Sequence, residues 1–224
     1  MKAMILSAGF GTRLKPLTNN TPKALIFYKG VPMINHQIER LKKTGVSEII
    51  VNAHHIHEKI SEYFKKNDFG IKINLIVENE ILGTGGGILN AQKYFENEDS
   101  FLVINVDIET DTNLSDLIKS HSLTNSFATL AVQKRRSRRY LEFDRNMHLR
   151  GRQNDSSSED FLFAFNGIHV ISKRIFSKGF EVKFSDILDL YFIVIGSDER
   201  EFVTGYNTGN STFKDIGKIE NLDN

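Results

Sequence analysis

Between residues 3 and 120 the chain alternates short apolar runs with segments whose apolar residues recur every three or four positions. Residues 3–6 read as a buried strand. Ile34, Ile38 and Leu41 share one face of a helix that Gly45 ends. Residues 48–52 form a second strand, 56–64 a short amphipathic helix, 71–77 a third strand and 88–95 another helix. Residues 101–106 are a continuous apolar strand that stops at Asp107, and 114–120 are helical. Strands separated by helices in this order close by lying parallel, with helices on both faces. Ligands of such sheets bind beyond the carboxyl ends of the strands. The loops after Leu6 and after Val106 are therefore the places to look for chemistry.

The second half reads as shorter strands at 127–132, 140–143, 148–150 and 161–171, then a helix over 184–195 and a strand over 202–206. The polar segment 154–160 reads as an exposed loop. At ~100–200 residues per domain, 224 residues without a Gly- or Pro-rich linker predict one domain over residues 1–224. The expected fold is α/β: a Rossmann-like mixed, mostly parallel sheet flanked by helices, with a small antiparallel extension.

Composition removes several function classes. There is no Cys, which excludes disulfides, thiolate metal sites and Cys nucleophiles, so any metal must sit on oxygen or imidazole. Net charge is +1, with no global bias towards nucleic acid or an anionic membrane. No apolar run approaches the ~18 residues of a membrane span, and residues 1–6 are too short for a signal peptide's apolar region. The expectation is a cytoplasmic protein, monomeric or a small homo-oligomer, with neither nucleic acid nor membrane as partner.

The loop after Leu6 reads Ser7-Ala8-Gly9-Phe10-Gly11-Thr12-Arg13-Leu14-Lys15-Pro16-Leu17-Thr18, then Asn19-Asn20-Thr21-Pro22-Lys23-Ala24-Leu25. Glycines let backbone N–H groups approach phosphate oxygens. A dinucleotide fingerprint would need Gly where Leu14 stands, and an ATPase P-loop would need Gly-Lys-Ser/Thr, which is absent. What remains is a glycine loop with Arg13, Lys15 and Lys23, cations able to clamp a polyphosphate. The full spacing, Gly-x-Gly-Thr-Arg-Leu-x-Pro-Leu-Thr-x-x-x-Pro-Lys-Ala-Leu, resembles the signature of sugar-1-phosphate nucleotidyltransferases.

The resemblance runs along most of the chain. Residues 81–88 look like that family's second Gly-rich loop, which lies against the nucleobase. Asn105-Val106-Asp107 looks like its metal-binding Asp at a strand end. Residues 165–170 resemble its sugar-pocket strand, 183–187 a sugar-side motif, and Phe213-Lys214-Asp215-Ile216-Gly217 its second metal-binding Asp. Val106 stands where Gly is commoner, Ser7 where Ala is usual, and Lys214 places a cation beside a proposed metal ligand unless it faces away.

The resemblance implies a nucleotide-diphospho-sugar transferase fold and attack of a sugar 1-phosphate oxygen on the α-phosphorus of a nucleoside triphosphate. It implies Mg²⁺ on Asp107 and Asp215. Arg13 and Lys23 would be the catalytic cations. Ala8, Gly9, Gly11, Thr12, Arg13, Glu80, Gly83, Thr84 and Gly85 would bind the nucleotide, and Asn105, Asn166, Gly167 and Lys183 the sugar. Residues 84–88 look most like N-acetylmuramate-1-phosphate uridylyltransferases, which favours UTP and a role in cell-wall precursors. The alternatives are a mannose- or heptose-1-phosphate guanylyltransferase, for which Glu78 or Glu80 would supply an acceptor to guanine, and a catalytically silent nucleotide-sugar binder. Glu109 and Asp111 read as solvated loop acids, His54, His55 and His57 as surface or capping residues. Lys134, Arg135, Arg136, Arg138 and Arg139 read as a solvated turn or subunit contact.

Overall fold

The computed structural model describes residues 1–153 and 161–222; the loop expected at 154–160 lies outside the described residues. In chain order the elements are β1 (Ala3–Leu6), β2 (Phe27–Tyr28), β3 (Val31–Pro32), α1 (Met33–Lys43), β4 (Glu48–Ala53), α2 (His57–Lys66) and β5 (Lys72–Val77). Next come α3 (Gly83–Asn90), α4 (Gln92–Phe95), β6 (Ser100–Asn105), β7 (Ile108–Thr110), α5 (Leu114–Thr124) and β8 (Ala128–Gln133). The last are β9 (Tyr140–Phe143), β10 (Leu149–Gln153), β11 (Leu162–Ser172), α6 (Ile187–Ser197), β12 (Val203–Asn207) and β13 (Phe213–Asp215).

The main sheet runs β10-β9-β11-β6-β1-β4-β5, with β8 also on β11 and β12 on β8. Strands β5, β4, β1 and β6 are parallel. Strand β11 reverses the direction, pairing antiparallel with β6, β8 and β9. The chain leaves β1 towards β4 and β5 and returns to β6 on the other side, so β1 is the topological switch point. Leu6 is level with Asn52 of β4 and Asn105 of β6, which brings the ends of three strands to one line.

Alternation along β1 splits the core in two. Ala3 and Ile5 face Ile34, Ile38 and Leu41 of α1 and Leu114 and Leu117 of α5. Met4 and Leu6 face Ile88 and Leu89 of α3 and Tyr191 and Val194 of α6. Both faces of β1, β4 and β6 are covered, which is why they read as apolar runs; β5, at the end of the sheet, is only half-buried.

The sequence reading differs most at α3. Glycine is a poor helix former, and residues 81–88 read as a loop, yet the helix begins at Gly83. The reason is tertiary. Gly85 N donates to Ser185 O at 2.8 Å, and Ser185 N donates to Leu82 O at 3.0 Å. A Cβ on Gly86 would collide with the Lys183 carbonyl, and one on Gly85 would lie 2.7 Å from Ser185 Oγ. The glycines let α3 lie directly on the segment that leads into α6. That segment is not yet helical: α6 starts at Ile187 rather than 184, capped by Asp186, whose side chain accepts from Leu188 N.

Candidate functional site

Two distant parts of the chain meet beyond the ends of β1 and β6. Strand β13 pairs antiparallel with β7, placing Asp215 opposite Ile108. Ile216 N then donates to the backbone carbonyl of Asp107 at 2.9 Å. The glycine loop closes over this junction in three single turns of 3₁₀ helix, at Thr12–Leu14, Leu17–Asn19 and Lys23–Leu25. Gly11 has φ +63°, and a Cβ there would lie 2.8 Å from Thr18 Cγ2 and 3.1 Å from Lys23 Cβ. Its carbonyl accepts from Leu14 N and from Thr18 Oγ1, both at 2.9 Å. The fold of this loop thereby sets where Arg13 and Lys23 point.

They point at the two carboxylates. Lys23 Nζ donates to Asp107 Oδ2 at 2.6 Å and Arg13 Nη1 to Asp215 Oδ2 at 2.6 Å, while Arg13 Nη2 lies 3.6 Å from Asp107 Oδ2. Burial works against the Arg13 charge, but the hydrogen bond and charge of Asp215 and the charge of Asp107 outweigh it, and its pKa is raised. Asp107 is nearly buried and Asp215 partly so. Gly217 sits at the centre of the constellation. Its N–H donates to Asp215 Oδ1 at 3.0 Å. A Cβ there would strike Asp107 Oδ2 and lie 3.0 Å from Asp215 Oδ1 and 3.1 Å from Arg13 Nη2. Lys214, the cation of concern, alternates away along β13, with Nζ 5.7 Å from the Tyr28 ring centroid.

Among the described residues, three or more His, Cys, Asp or Glu are nowhere gathered as a metal cage. A pair of carboxylates completed by substrate phosphates is, however, the donor set Mg²⁺ prefers. Asp107 and Asp215 converge on the same point beside Gly217, so the residues present fit that ion.

A cleft of about 1410 Å³ opens from this centre, lined by Arg13, Asp107, Asp215, Asn105, Phe165, Asn166 and Gly167 among others. Asn166 is buried, and its Nδ2 donates to Thr208 Oγ1 at 3.3 Å. Lys183 is not on the cleft wall: its ammonium lies 2.8 Å from Glu181 in the open, and its carbonyl packs on Gly86. Of the second glycine segment, Thr84 Oγ1 accepts from Ile187 N at 2.9 Å, and the Gly85 amide is already used by Ser185. Glu80 is exposed. Ala8 is buried, whereas Gly9 is exposed; the side chain of Phe10 packs on the rings of His54 and His55.

Several groups behave otherwise than the sequence suggests. Glu78 is buried and committed, accepting from Asn52 Nδ2 at 2.7 Å and Leu82 N at 3.1 Å. Asn52 Oδ1 in turn accepts from Ser7 N at 2.8 Å, and Ser7 Oγ donates to the Asn52 carbonyl. This chain of bonds ties the start of the glycine loop to the start of α3, and the unusual Ser7 adds a bond that Ala would lack. Glu109 is no solvated acid. It pairs with Lys29 at 3.2 Å and Arg40 at 3.8 Å, and Asp111 Oδ1 accepts from Thr212 N at 2.7 Å. Burial lowers the Arg40 pKa, with Glu109 and Asp111 opposing. His54 is half-buried and its Nδ1 bonds the Glu78 carbonyl at 2.8 Å, so it is neither a surface nor a capping residue. The basic turn is not merely solvated either: Arg135, Arg136 and Arg138 line the cleft. Its signal in the sequence was the charge run, but nothing there showed which way the run faces.

The family model described as Nucleotidyl transferase matches residues 2–144. Mannose-1-phosphate guanyltransferase of Aspergillus oryzae is 38% identical over 137 residues, covering 60% of this chain and 38% of that relative. The chain thus spans well under half the length of such curated relatives. HddC from Yersinia pseudotuberculosis is 27% identical with TM-score 0.81, covering 98% of this chain and 95% of that one. Its complex with GMP-PN superimposes with TM-score 0.80 at 26% identity, over 99% and 96% of the two chains.

Proposed function

The chain belongs to the nucleotidyl transferase family, and from that premise we propose that it transfers a guanylyl group from GTP to a sugar 1-phosphate, releasing pyrophosphate. The observation that carries the proposal is the meeting of Arg13 and Lys23 with Asp107 and Asp215 at the switch point of the sheet.

The reaction needs no covalent enzyme intermediate. An oxygen of the sugar phosphate attacks the α-phosphorus and pyrophosphate leaves, so catalysis is placement and neutralisation of charge. Arg13, able to present two parallel N–H donors, takes the β- and γ-phosphates. Lys23 takes the α-phosphate, and the backbone of Ala8, Gly9, Gly11 and Thr12 takes the remaining phosphate oxygens. Asp107 and Asp215 would hold Mg²⁺, which when bound offsets the negative charge of the triphosphate. Asn105, Asn166 and Gly167 supply the sugar side of the cleft.

The relatives support one choice of base. Their names specify guanylyl transfer to mannose 1-phosphate, and the HddC structure holds GMP-PN. This favours GTP over the UTP suggested by residues 84–88. The test is a competition of GTP and UTP with α-mannose 1-phosphate and N-acetylmuramate 1-phosphate as acceptors. A kcat/KM preference for GTP with mannose 1-phosphate is expected; preference for UTP with the amino sugar would return the choice to uracil and leave nucleotidyl transfer standing.

A further inference from the structure

Arg13 and Lys23, at the centre from which the cleft opens, are bound to carboxylates. Arg135 lines the same cleft, and its direct contacts are with neutral groups. Its guanidinium carbon lies 3.8 Å from the centroid of the Phe213 ring. Its Nε donates to Asn166 Oδ1 at 3.2 Å and its Nη2 to the Phe165 carbonyl at 2.9 Å. Burial lowers its pKa, opposed by the charges of Asp215 and Tyr140, but an arginine stays charged in any such setting.

Holding a guanidinium this way has a purpose that a solvated turn does not explain. Stacking and two hydrogen bonds fix its plane and shield part of it from water, while its remaining N–H donors are left for the cleft that it lines. Charged donors placed in advance are what an oxyanion site requires. Arg136 and Arg138 line the same cleft from the same turn. The residues that orient Arg135 are Phe165 and Asn166, on the wall assigned above to the sugar.

We infer that Arg135, fixed between the Phe213 ring, the Phe165 carbonyl and the Asn166 side chain and helped by Arg136 and Arg138, is the clamp for the phosphate of the acceptor sugar. This rests on the proposed function. It divides the work between two segments: the glycine loop holds the triphosphate, and the turn after β8 holds the attacking phosphate. The reacting oxygen and the α-phosphorus are then brought together by two separate sets of cations, which offsets the repulsion between two polyanions.

The experiment is steady-state kinetics of wild type, Arg135→Gln, Arg135→Lys and the double variant Arg136→Ala/Arg138→Ala with GTP and α-mannose 1-phosphate. Calorimetric titration of the same proteins with mannose 1-phosphate alone and a thermal melt accompany it. Arg135→Gln should raise KM for mannose 1-phosphate roughly 10–100-fold, the loss of a charged hydrogen bond, with KM for GTP nearly unchanged. Arg135→Lys should recover part of the loss, and the double variant should show a smaller rise in the same KM. Equal rises for both substrates, or a lowered melting temperature with unchanged KM, would overturn the clamp and leave Arg135 a packing residue. Mannose 1-phosphate binding that is lost in Arg135→Gln, in a protein that turns over no triphosphate, would uphold the clamp and overturn the proposed function.

Discussion

Lys23 Nζ lies 2.6 Å from Asp107 Oδ2, joining a residue of the glycine loop to one beyond the end of β6. The two sit 84 positions apart, and both are mostly shielded from water. Removing the carboxylate charge leaves a shielded ammonium without its counter-ion, whereas Arg13, which faces Asp215, is half exposed.

Asp107→Asn should therefore cost more stability than Asp215→Asn. We expect about 1–3 kcal/mol for the first and about 0–1 kcal/mol for the second, whose partner is solvated. Urea unfolding of both variants measures the difference. Equal losses would mean that the Lys23 pair is not held as the structure has it.

Gly217→Ala tests the close approach at the centre. A methyl group would occupy the space between Asp107, Asp215 and Arg13. Turnover should fall by about 10²-fold, as expected when reacting groups are displaced by an ångström, while the circular dichroism spectrum remains native. Near-wild-type turnover would show that the two carboxylates need not converge there.

Gly86→Ala tests the packing of α3. The added Cβ meets a backbone carbonyl, that of Lys183, which cannot rotate away. Overpacking of this kind costs about 1–3 kcal/mol. A midpoint of unfolding unchanged from wild type would contradict the account of why this helix is built of glycines.

The chain should lose stability as pH falls below neutrality. His121, hydrogen-bonded to Thr129 Oγ1 at 2.9 Å, is held by burial, with Arg174 adding to the effect, at a pKa of about 4 rather than 6.5. Its depressed folded value means that the unfolded chain binds the proton first, so stability rises with pH across this range. The full contribution is present above 6.5 and is lost as pH falls from 6.5 towards 4. His121→Gln should flatten the decline in melting temperature between pH 7 and pH 5; an unchanged slope would show that His121 is not kept neutral by the fold.

What was legible in the sequence follows the range of the forces involved. Strand β1 is buried along its length and marks itself by an unbroken apolar run, whereas the half-buried β5 marks itself by alternation; both lie within a residue of the ends that the sequence predicts. Asp107 was visible because an apolar run stops there. Its partner Asp215 was not: only the β7–β13 pairing brings it near, and the resemblance alone pointed to it. The helix at Gly83 was illegible because local propensity opposes it and a contact with Ser185 overrides that propensity. The direction of the basic turn was equally hidden, since a charge run looks the same whether it faces solvent or a cleft. Gly217 stood in the quoted motif, but its steric role depends on three side chains from elsewhere.

The most direct measurement of the central claim is pyrophosphate release, with identification of the nucleotide sugar formed, when the wild-type chain meets each of four nucleoside triphosphates and several sugar 1-phosphates with Mg²⁺. The account expects stoichiometric pyrophosphate and nucleotide sugar, greatest with GTP and mannose 1-phosphate. It also expects loss of orders of magnitude in turnover for Asp107→Asn and Asp215→Asn, each of which removes a charged ligand. No pyrophosphate from any pair, or undiminished release by both variants, would contradict it.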